Sequence, residues 1–353
     1  MSILVTGGAG FVGSNFVLDW LAEHDEPIIN LDKLTYAGNL ENLHSLRRDA
    51  RHIYFHGDIA DLSLTSRLMA QYRPRAIINL AVECQPNQAI FNAEDFIQTN
   101  VVGVFRLLEA ARMYWSRLPA AAKDSFRFLQ ISTDEVYGSS GQWGSPSPET
   151  KGYSPDTPYA ASKATSDHLA QAYFRTYHLP VLMVNSSNNY GPYHFPDKLI
   201  PRCILNALAD KPLPLYGDGL QIRDWLYVKD HCSAIRRVLE RGRPGQAYNV
   251  SAGNEKTNIE VVSMLCKVLD QLRPRADRQP HRSQIAFLND PSNPRRRYAL
   301  NGAKICNELG WQPSETFATG LVKTVQWYMD NQPLVANISC GAHQDWLNTQ
   351  YAV

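Results

Sequence analysis

Two pairs of side chains in this 353-residue chain have the types and the spacing to move protons. Tyr159 and Lys163, in YAASK, are four residues apart and fall on one helical face. An ammonium beside a phenol favours the phenolate, so a tyrosine normally protonated at neutral pH becomes a base. Asp134 and Glu135 follow Ser132 and Thr133 in ISTDEVYG, at the end of an apolar run. Two carboxyl groups at a strand end can divide acid and base roles between them.

A third group of residues points to a dinucleotide. TGGAGFVG spaces Gly7, Gly10 and Gly13 by three, directly after the first apolar run and at the mouth of a helical pattern. Such glycines permit a tight turn, let backbone N–H groups approach a pyrophosphate and allow close helix–sheet packing. Asp32 closes the second apolar run about 20 residues on, the place of the carboxylate that binds a ribose diol. Its charge repels a 2′-phosphate and so favours NAD over NADP, although Lys33 beside it works against that discrimination. Asp58, in HGDI, suits either adenine recognition or the N-cap of a helix beginning at Leu62. Asn100 is either a buried polar bridge toward Lys163 or an exposed helix residue.

These residues need a scaffold, and the pattern supplies one. Strands are expected at Ile3–Thr6, Pro27–Leu31, Ile53–His56, Ala76–Leu80, Phe126–Ile131 and Val181–Asn185. Between them lie helical patterns at Phe11–Glu23, Leu62–Gln71, Ala93–Trp115 and Pro158–Tyr177. Alternation of this kind makes βαβ units and a Rossmann-type, doubly wound parallel sheet in the α/β class, with ligands at the carboxyl ends of its strands. Beyond about Tyr190 the regularity is lost, and helices are expected near Leu199–Ala209, Lys229–Glu240, Asn258–Leu272 and Thr316–Asp330. The expected organisation is an NAD-binding domain over 1–190 with 222–252 returning to it, a smaller interleaved substrate-binding domain over 191–221 and 253–332, and a tail over 333–353.

Composition narrows the partners. Lys plus Arg is 35 and Asp plus Glu is 34, a net charge of +1, so no basic excess suggests nucleic acid or an acidic membrane. Hydrophobic residues at 44% and charged ones at 20% are those of an ordinary folded chain, whose partner is a small molecule. The six cysteines form no C-x-x-C pair and have no histidines at ligand spacing, so neither a metal site nor a disulfide framework is expected. No signal-like start and no long apolar run is present, and the expected location is the cytoplasm.

TGGAGFVGS, LDKLTYAGN, STDEVYG, YAASKATSDHL, NSSNNYGPYHFPDKLIP, PLYGDGLQIRDWLYVKDH and LGWQPSETF together resemble the extended short-chain dehydrogenases, specifically the dTDP-glucose 4,6-dehydratases, from residue 2 to about Tyr328. The Thr133-Asp134-Glu135 triplet discriminates most, because related epimerases carry no acid pair there. The resemblance implies NAD as cofactor and a three-stage reaction. Tyr159, assisted by Thr133 and Lys163, takes the sugar 4-hydroxyl proton as the sugar is oxidised; Glu135 removes the carbon-5 proton and Asp134 protonates the departing 6-hydroxyl; carbon 6 is then reduced. It adds Phe11, Val12, Lys33, Leu34, Thr35, Ile59, Leu80, Ala81, Val82, Thr99 and Asn189 to the cofactor contacts. For the sugar nucleotide it implies Cys84, Thr133, Asn188, Lys198, Leu199, Tyr216, Arg223 and Asn258. Arg223 is read as a phosphate ligand or as a domain-interface ion pair with Asp224 or another acid. In similar proteins the helices 93–115 and 158–177 pair across a homodimer interface.

Two segments depart from the family. LAVECQPNQA stands where LAAESHVDRS is usual, so Cys84, Gln85, Asn87 and Gln88 replace serine, histidine, aspartate and arginine. Pro291 stands where an arginine usually meets the diphosphate, with Arg295 as a substitute nearby, and the loop after Tyr137 matches no family pattern. Losing a charge-assisted phosphate contact costs about 1.5–3 kcal/mol. The expected activity is therefore 4,6-dehydration of dTDP-glucose, of another nucleotide hexose, or of a nucleoside lacking the diphosphate. An epimerase, a decarboxylase and a non-catalytic NAD-binding protein are the alternatives.

Overall fold

The computed structural model describes residues 2–35, 37–84, 93–141, 144–289 and 297–339. Gln85, Asn87, Gln88, Pro291 and Arg295 lie outside the described residues, as does the tail beyond 339.

β1 (Ile3–Thr6) shows how the sequence builds the sheet. Its run is apolar at consecutive positions because both faces are covered. Ile3 and Val5 join one core with α1 (Phe11–Glu23), whereas Leu4 faces the opposite core. The same holds for β2 (Ile28–Asp32) and, past β3 (His52–His56) and α2 (Leu62–Tyr72), for β4 (Ala76–Asn79); β3, at the sheet edge, is only partly covered. With β5 (Arg127–Thr133), β6 (Val181–Ser186) and β10 (Ala247–Val250) they form one seven-stranded sheet, ordered β10-β6-β5-β4-β1-β2-β3. Every pairing is parallel. The order reverses between β1 and β4, and a doubly wound sheet opens its ligand crevice at such a switch point.

The expected helix 93–115 is divided. A short α3 (Ala93–Phe96) runs into a π-helical segment, Ile97–Gly103, and then α4 (Val104–Ser116). The wider turn carries Asn100 into the interior, where its side chain accepts from the Glu83 N–H (2.9 Å) and donates to the Glu83 carbonyl (3.0 Å) and Ser162 Oγ (2.9 Å). Asn100 therefore clamps the chain leaving β4 onto the next long helix; it is not exposed. After α5 (Ala120–Ser125) and β5, α6 (Pro158–Tyr177) follows, and the sequence sets its start: Thr157 accepts from the Ala160 N–H (2.9 Å) and Pro158 presets the first turn.

The second lobe contains β7 (Asn188–Tyr190), α7 (Leu199–Leu208), β8 (Leu213–Tyr216), β9 (Ile222–Tyr227), β11 (Glu255–Thr257), α9 (Asn258–Leu272), β12 (Ile285–Leu288), β13 (Arg297–Tyr298) and α11 (Phe317–Asp330), around its own apolar cluster. β9 pairs with β7, β11 and β13, not with the large sheet. The return to the first layer thus begins after residue 227, with α8 (Val228–Arg241) against α1 and then β10, and not at 222 as expected. α10 (Ala303–Leu309) adds Ile305 and Leu309 to the α1–α8 core, and α12 (Gln332–Ser339) ends the described chain. The loop after Tyr137 is tied down by Arg297: its guanidinium pairs with Glu255 (2.5 and 2.8 Å) and donates to the Gly144 carbonyl, while the Ser140 N–H meets the Arg297 carbonyl (3.0 Å).

Candidate active site

The turn after β1 can be built only from glycine at two of its positions. Gly7 has φ +72°, and a β-carbon on it would lie 2.6 Å from the Ala81 nitrogen, so β1 and the chain leaving β4 meet there. A β-carbon on Gly13 would lie 2.1 Å from the Gly7 carbonyl oxygen, which is how α1 seats against the turn. Asp32 is buried at the end of β2 and accepts from the N–H groups of Ala9 and Leu34, both at 2.8 Å. Burial pushes this carboxyl up and the two donors pull it back. Leu34 is in the left-handed region (φ +52°) to return its N–H to Asp32, and it does so without lining the cleft. Lys33 pairs with Asp58 at 2.7 Å, and Asp58 also accepts from the Ala60 N–H (2.8 Å). Asp61, not Asp58, caps α2.

These residues rim a cleft of about 300 Å³ at the carboxyl ends of the strands. All the expected cofactor residues except Leu34 line it: Gly7, Gly10, Phe11, Val12, Gly13, Asp32, Lys33, Thr35, Asp58, Ile59, Leu80, Ala81, Val82, Thr99, Tyr159, Lys163 and Asn189. Several buried polar atoms of its lining lack a protein partner among the described residues, among them Glu83 Oε1, Asp134 Oδ2, Asn189 Oδ1, His194 Nδ1 and both ring nitrogens of His231. A glycine cradle leaving room for a ligand backbone, together with such unpaired atoms, fits a polar dinucleotide. His194 stacks on Phe11 at 4.1 Å along the same wall, and burial pushes its imidazole down to about 3.

Thr133, Asp134, Tyr159 and Lys163 line the same cleft. Asp134 is 3% exposed, and burial, then the charge of Glu135, push its carboxyl up to about 7; Arg223 is foremost among the groups pulling it back. The Thr133 hydroxyl donates to Asp134 Oδ1 (3.1 Å) and accepts from the Glu135 N–H (3.3 Å). Glu135 is half-buried, is not among the lining residues, and is the leading charge acting on Tyr159. Burial first, then Glu135, Cys84 and Asp134, push the Tyr159 phenol above its ordinary value, opposite in direction to the effect expected of Lys163. The Lys163 ammonium donates to the Ile131 carbonyl (2.6 Å), and burial pushes it down.

The expected sugar-nucleotide residues divide. Cys84, Thr133, Asn188 and Lys198 line the cleft, with Lys198 3.5 Å from Asp197. Leu199 starts α7, Tyr216 accepts from Arg202 (3.2 Å), and Asn258 opens α9 beside Gln221; none of the three lines the cleft. Arg223 also stands off the cleft, with its guanidinium 4.7 Å from the Tyr298 ring centroid. It makes no ion pair with Asp224, which accepts from Ser251 (2.6 Å) and the Asn254 N–H (2.8 Å). The sequence reading missed Glu83, His194, His231 and Asp167. Asp167 carried a visible signal, since it continues the four-residue spacing of Tyr159 and Lys163. Among the described residues no cluster of His, Cys, Asp and Glu is placed to hold a metal, and no helix is long and apolar enough to cross a membrane.

Comparison with known proteins agrees with this geometry. The family model described as GDP-mannose 4,6 dehydratase matches residues 4–324. A dTDP-glucose 4,6-dehydratase of Xanthomonas campestris is 53% identical over 341 residues, covering 97% of each chain. The solved dTDP-glucose 4,6-dehydratase of Bacillus anthracis in complex with NAD is 42% identical, with a TM-score of 0.85 over 96% of this chain and 99% of that one. DesIV, the dTDP-glucose 4,6-dehydratase of Streptomyces venezuelae, solved with NAD and TYD bound, is 40% identical with a TM-score of 0.86 over 96% of this chain and 100% of that one. With a family model matched over nearly the whole chain and relatives about half identical along it, the chain belongs to the extended short-chain dehydrogenase/reductase family, among the dTDP-glucose 4,6-dehydratases.

Proposed function

We propose that this chain is an NAD-dependent hydro-lyase that converts dTDP-glucose to its 4-keto-6-deoxy product. The observation that carries the reading is Asp134, a buried carboxyl held up to about 7 beside a half-buried Glu135 and next to Tyr159. An oxidoreductase or epimerase needs the Tyr–Lys pair alone, whereas elimination of water needs a second acid and base. Gly7, Gly10 and Phe11–Gly13 would hold the pyrophosphate of NAD and Asp32 its adenosine ribose. Bound NAD supplies a hydride acceptor for carbon 4, a hydride donor for carbon 6 and a positive ring charge.

The side chains do the rest. Tyr159 receives the 4-hydroxyl proton, which requires its own proton to leave first; Lys163, one turn away, is the protein cation placed to favour that loss. The ketone formed at carbon 4 acidifies the carbon-5 hydrogen; Glu135 removes it as a proton and returns a proton to carbon 5 when carbon 6 is reduced. Asp134, half neutral near pH 7, gives its proton to the leaving 6-hydroxyl. Thr133 bridges the two roles through its bonds to Asp134 and to the Glu135 backbone. Asn188, Lys198 and Cys84 border the sugar end of the cleft, and the nucleotide runs toward Arg223, Tyr216, Leu199 and Asn258 in the second lobe. We assign residues 1–190 and 228–252 to cofactor binding and the remainder up to 332 to substrate binding. Exposed Ile97 and Phe105, with Tyr177 on α6, support a homodimer through these helices, and the enzyme is assigned to the cytoplasm.

The test is incubation of purified protein with dTDP-glucose, other nucleotide hexoses and the free nucleosides, followed by mass analysis. Loss of one water from dTDP-glucose, with a keto product, is expected. An isomer of unchanged mass, released carbon dioxide, or turnover only of a nucleoside lacking the diphosphate overturns the reading.

A further inference from the structure

Tyr159, Lys163 and Asp167 recur every four residues along α6 and so share one face. Lys163 is 4% exposed and Asp167 is 2% exposed. Both reach β5 at consecutive residues: Lys163 donates to the Ile131 carbonyl (2.6 Å) and Asp167 Oδ2 accepts from the Ser132 hydroxyl (2.5 Å). Tyr153, from the segment ahead of α6, donates its hydroxyl to the same Oδ2 (3.2 Å). Asn185, on β6, donates to the hydroxyls of Tyr153 (3.2 Å) and Tyr137 (2.9 Å) behind it. Oδ1 of Asp167 has no hydrogen-bond partner among the described residues.

We propose that Asp167 is a positioning residue that keeps Lys163 charged and, through that ammonium, sets how readily Tyr159 releases its proton. The inference rests on the roles given above to Tyr159 and Lys163. Of the groups facing Asp167, Ser132, Tyr153, Tyr137 and Asn185 carry no charge, Lys163 is the foremost cation, and the exposed His168 lies beside it; Cys84, after β4, is the other group acting on Lys163. Burial pushes the Lys163 ammonium down, and Asp167 is the foremost group opposing this. Reciprocally, burial pushes Asp167 up to about 6, with Lys163 foremost in pulling it down. The carboxylate also acts on Tyr159 directly, with the opposite sign, but less strongly than Glu135, Cys84 or Asp134. At 1.5 Å of rise per residue Asp167 is about 6 Å along the axis from Lys163 and about 12 Å from Tyr159. Lys163 thus stands between the two, one turn from Asp167 and one turn from Tyr159.

Asp167→Asn keeps an acceptor for Ser132 and Tyr153 and removes the charge. In the full-length holoenzyme, the acidic limb of the pH profile for oxidation at carbon 4 is expected to move up by about one pH unit or more, while Asp167→Glu keeps the limb near its original place. Tyr153→Phe withdraws one donor, lets Asp167 neutralise at higher pH, and should move the limb the same way by less. A limb in Asp167→Asn within about 0.3 pH unit of the parent, whatever the loss of rate, makes Asp167 merely structural and overturns the proposal. Should Asp167→Asn fail to fold, an unmoved limb in folded Tyr153→Phe overturns it equally. A direct readout separates this from failure of the proposed function. With lysine isotope-labelled at Cε and the Lys163 resonance assigned by Lys163→Arg, NMR titration should show Lys163 losing its proton at lower pH in Asp167→Asn than in the parent. An unchanged Lys163 titration refutes the inference even if dehydration is established. A shifted one supports it even if the substrate is different.

Discussion

Replacing Asp134 by asparagine separates the acid from every other function of the site. The amide keeps the shape of the carboxyl and can still accept from Thr133, but it has no proton to give. An aspartate at its ordinary value of 3.8 is neutral in about one molecule in 1,600 at pH 7, whereas one held at about 7 is neutral in about half. The same displacement corresponds to about 4 kcal/mol in favour of the neutral carboxyl. It is reasonable for a group 3% exposed beside a second carboxylate and only partly offset by Arg223. Removing a positioned general acid lowers the rate by about 10²–10⁴, or about 3–5 kcal/mol of barrier.

The assay is single turnover with dTDP-glucose. Reduced nicotinamide is followed by absorbance and loss of water by mass. Oxidation at carbon 4 should continue in Asp134→Asn at a rate near the parent's, and elimination should fall by about two orders of magnitude or more. The sign with pH is fixed as well. The useful form of Asp134 is the neutral one, so elimination by the parent enzyme is fastest below about pH 7 as far as Asp134 is concerned and falls about tenfold per unit above it. Arg223→Met removes the charge that draws this carboxyl down, and the alkaline limb should then move to higher pH. Elimination in Asp134→Asn within about threefold of the parent would refute the reasoning, because general acids supply far more than that. So would an elimination rate that rises through pH 7.

Three further outcomes follow from named contacts. Asp32→Asn removes the charge opposed to a 2′-phosphate while keeping an acceptor for Ala9 or Leu34; calorimetry should show weaker NAD binding and a narrowed preference over NADP, and unchanged selectivity would contradict the assignment of Asp32. Arg297→Met breaks the paired bonds to Glu255 and the Gly144 contact, at a cost of about 2–3 kcal/mol, so Tm should fall by several degrees and the 139–147 segment should become sensitive to protease. Phe105→Glu places a charge on the exposed helix face assigned to the dimer; sedimentation should report a mass near 39.8 kDa in place of twice that value.

Much of this architecture is legible in the chain because its causes are local. The runs that are apolar on both faces mark the strands of the large sheet, and α1, α6 and α9 begin and end where capping residues, Pro158 and periodicity place them. The glycine turn is readable because only glycine tolerates the contacts made at positions 7 and 13. The second lobe is harder. β11 and β13 are three and two residues long, and β13 pairs with β9 across about 75 residues of chain, so no local pattern announces either. The π-helical turn that buries Asn100 is likewise set by tertiary packing, not by the composition of Ile97–Gly103.

The chemistry shows a sharper limit. In the sequence Asp134 and Glu135 are two adjacent carboxylates, and Tyr159 and Lys163 are a phenol and an amine on one helical face; nothing in those letters says which form each group takes. Burial decides. It pushes the Asp134 carboxyl up to about 7, toward the neutral acid, and it pushes the Tyr159 phenol up despite the lysine one turn away. A tyrosine so placed works as a base only if positive charge is maintained around it. For that reason the carboxylate of Asp167, silent in the sequence except for its spacing, bears on the catalytic strength of a residue two turns distant.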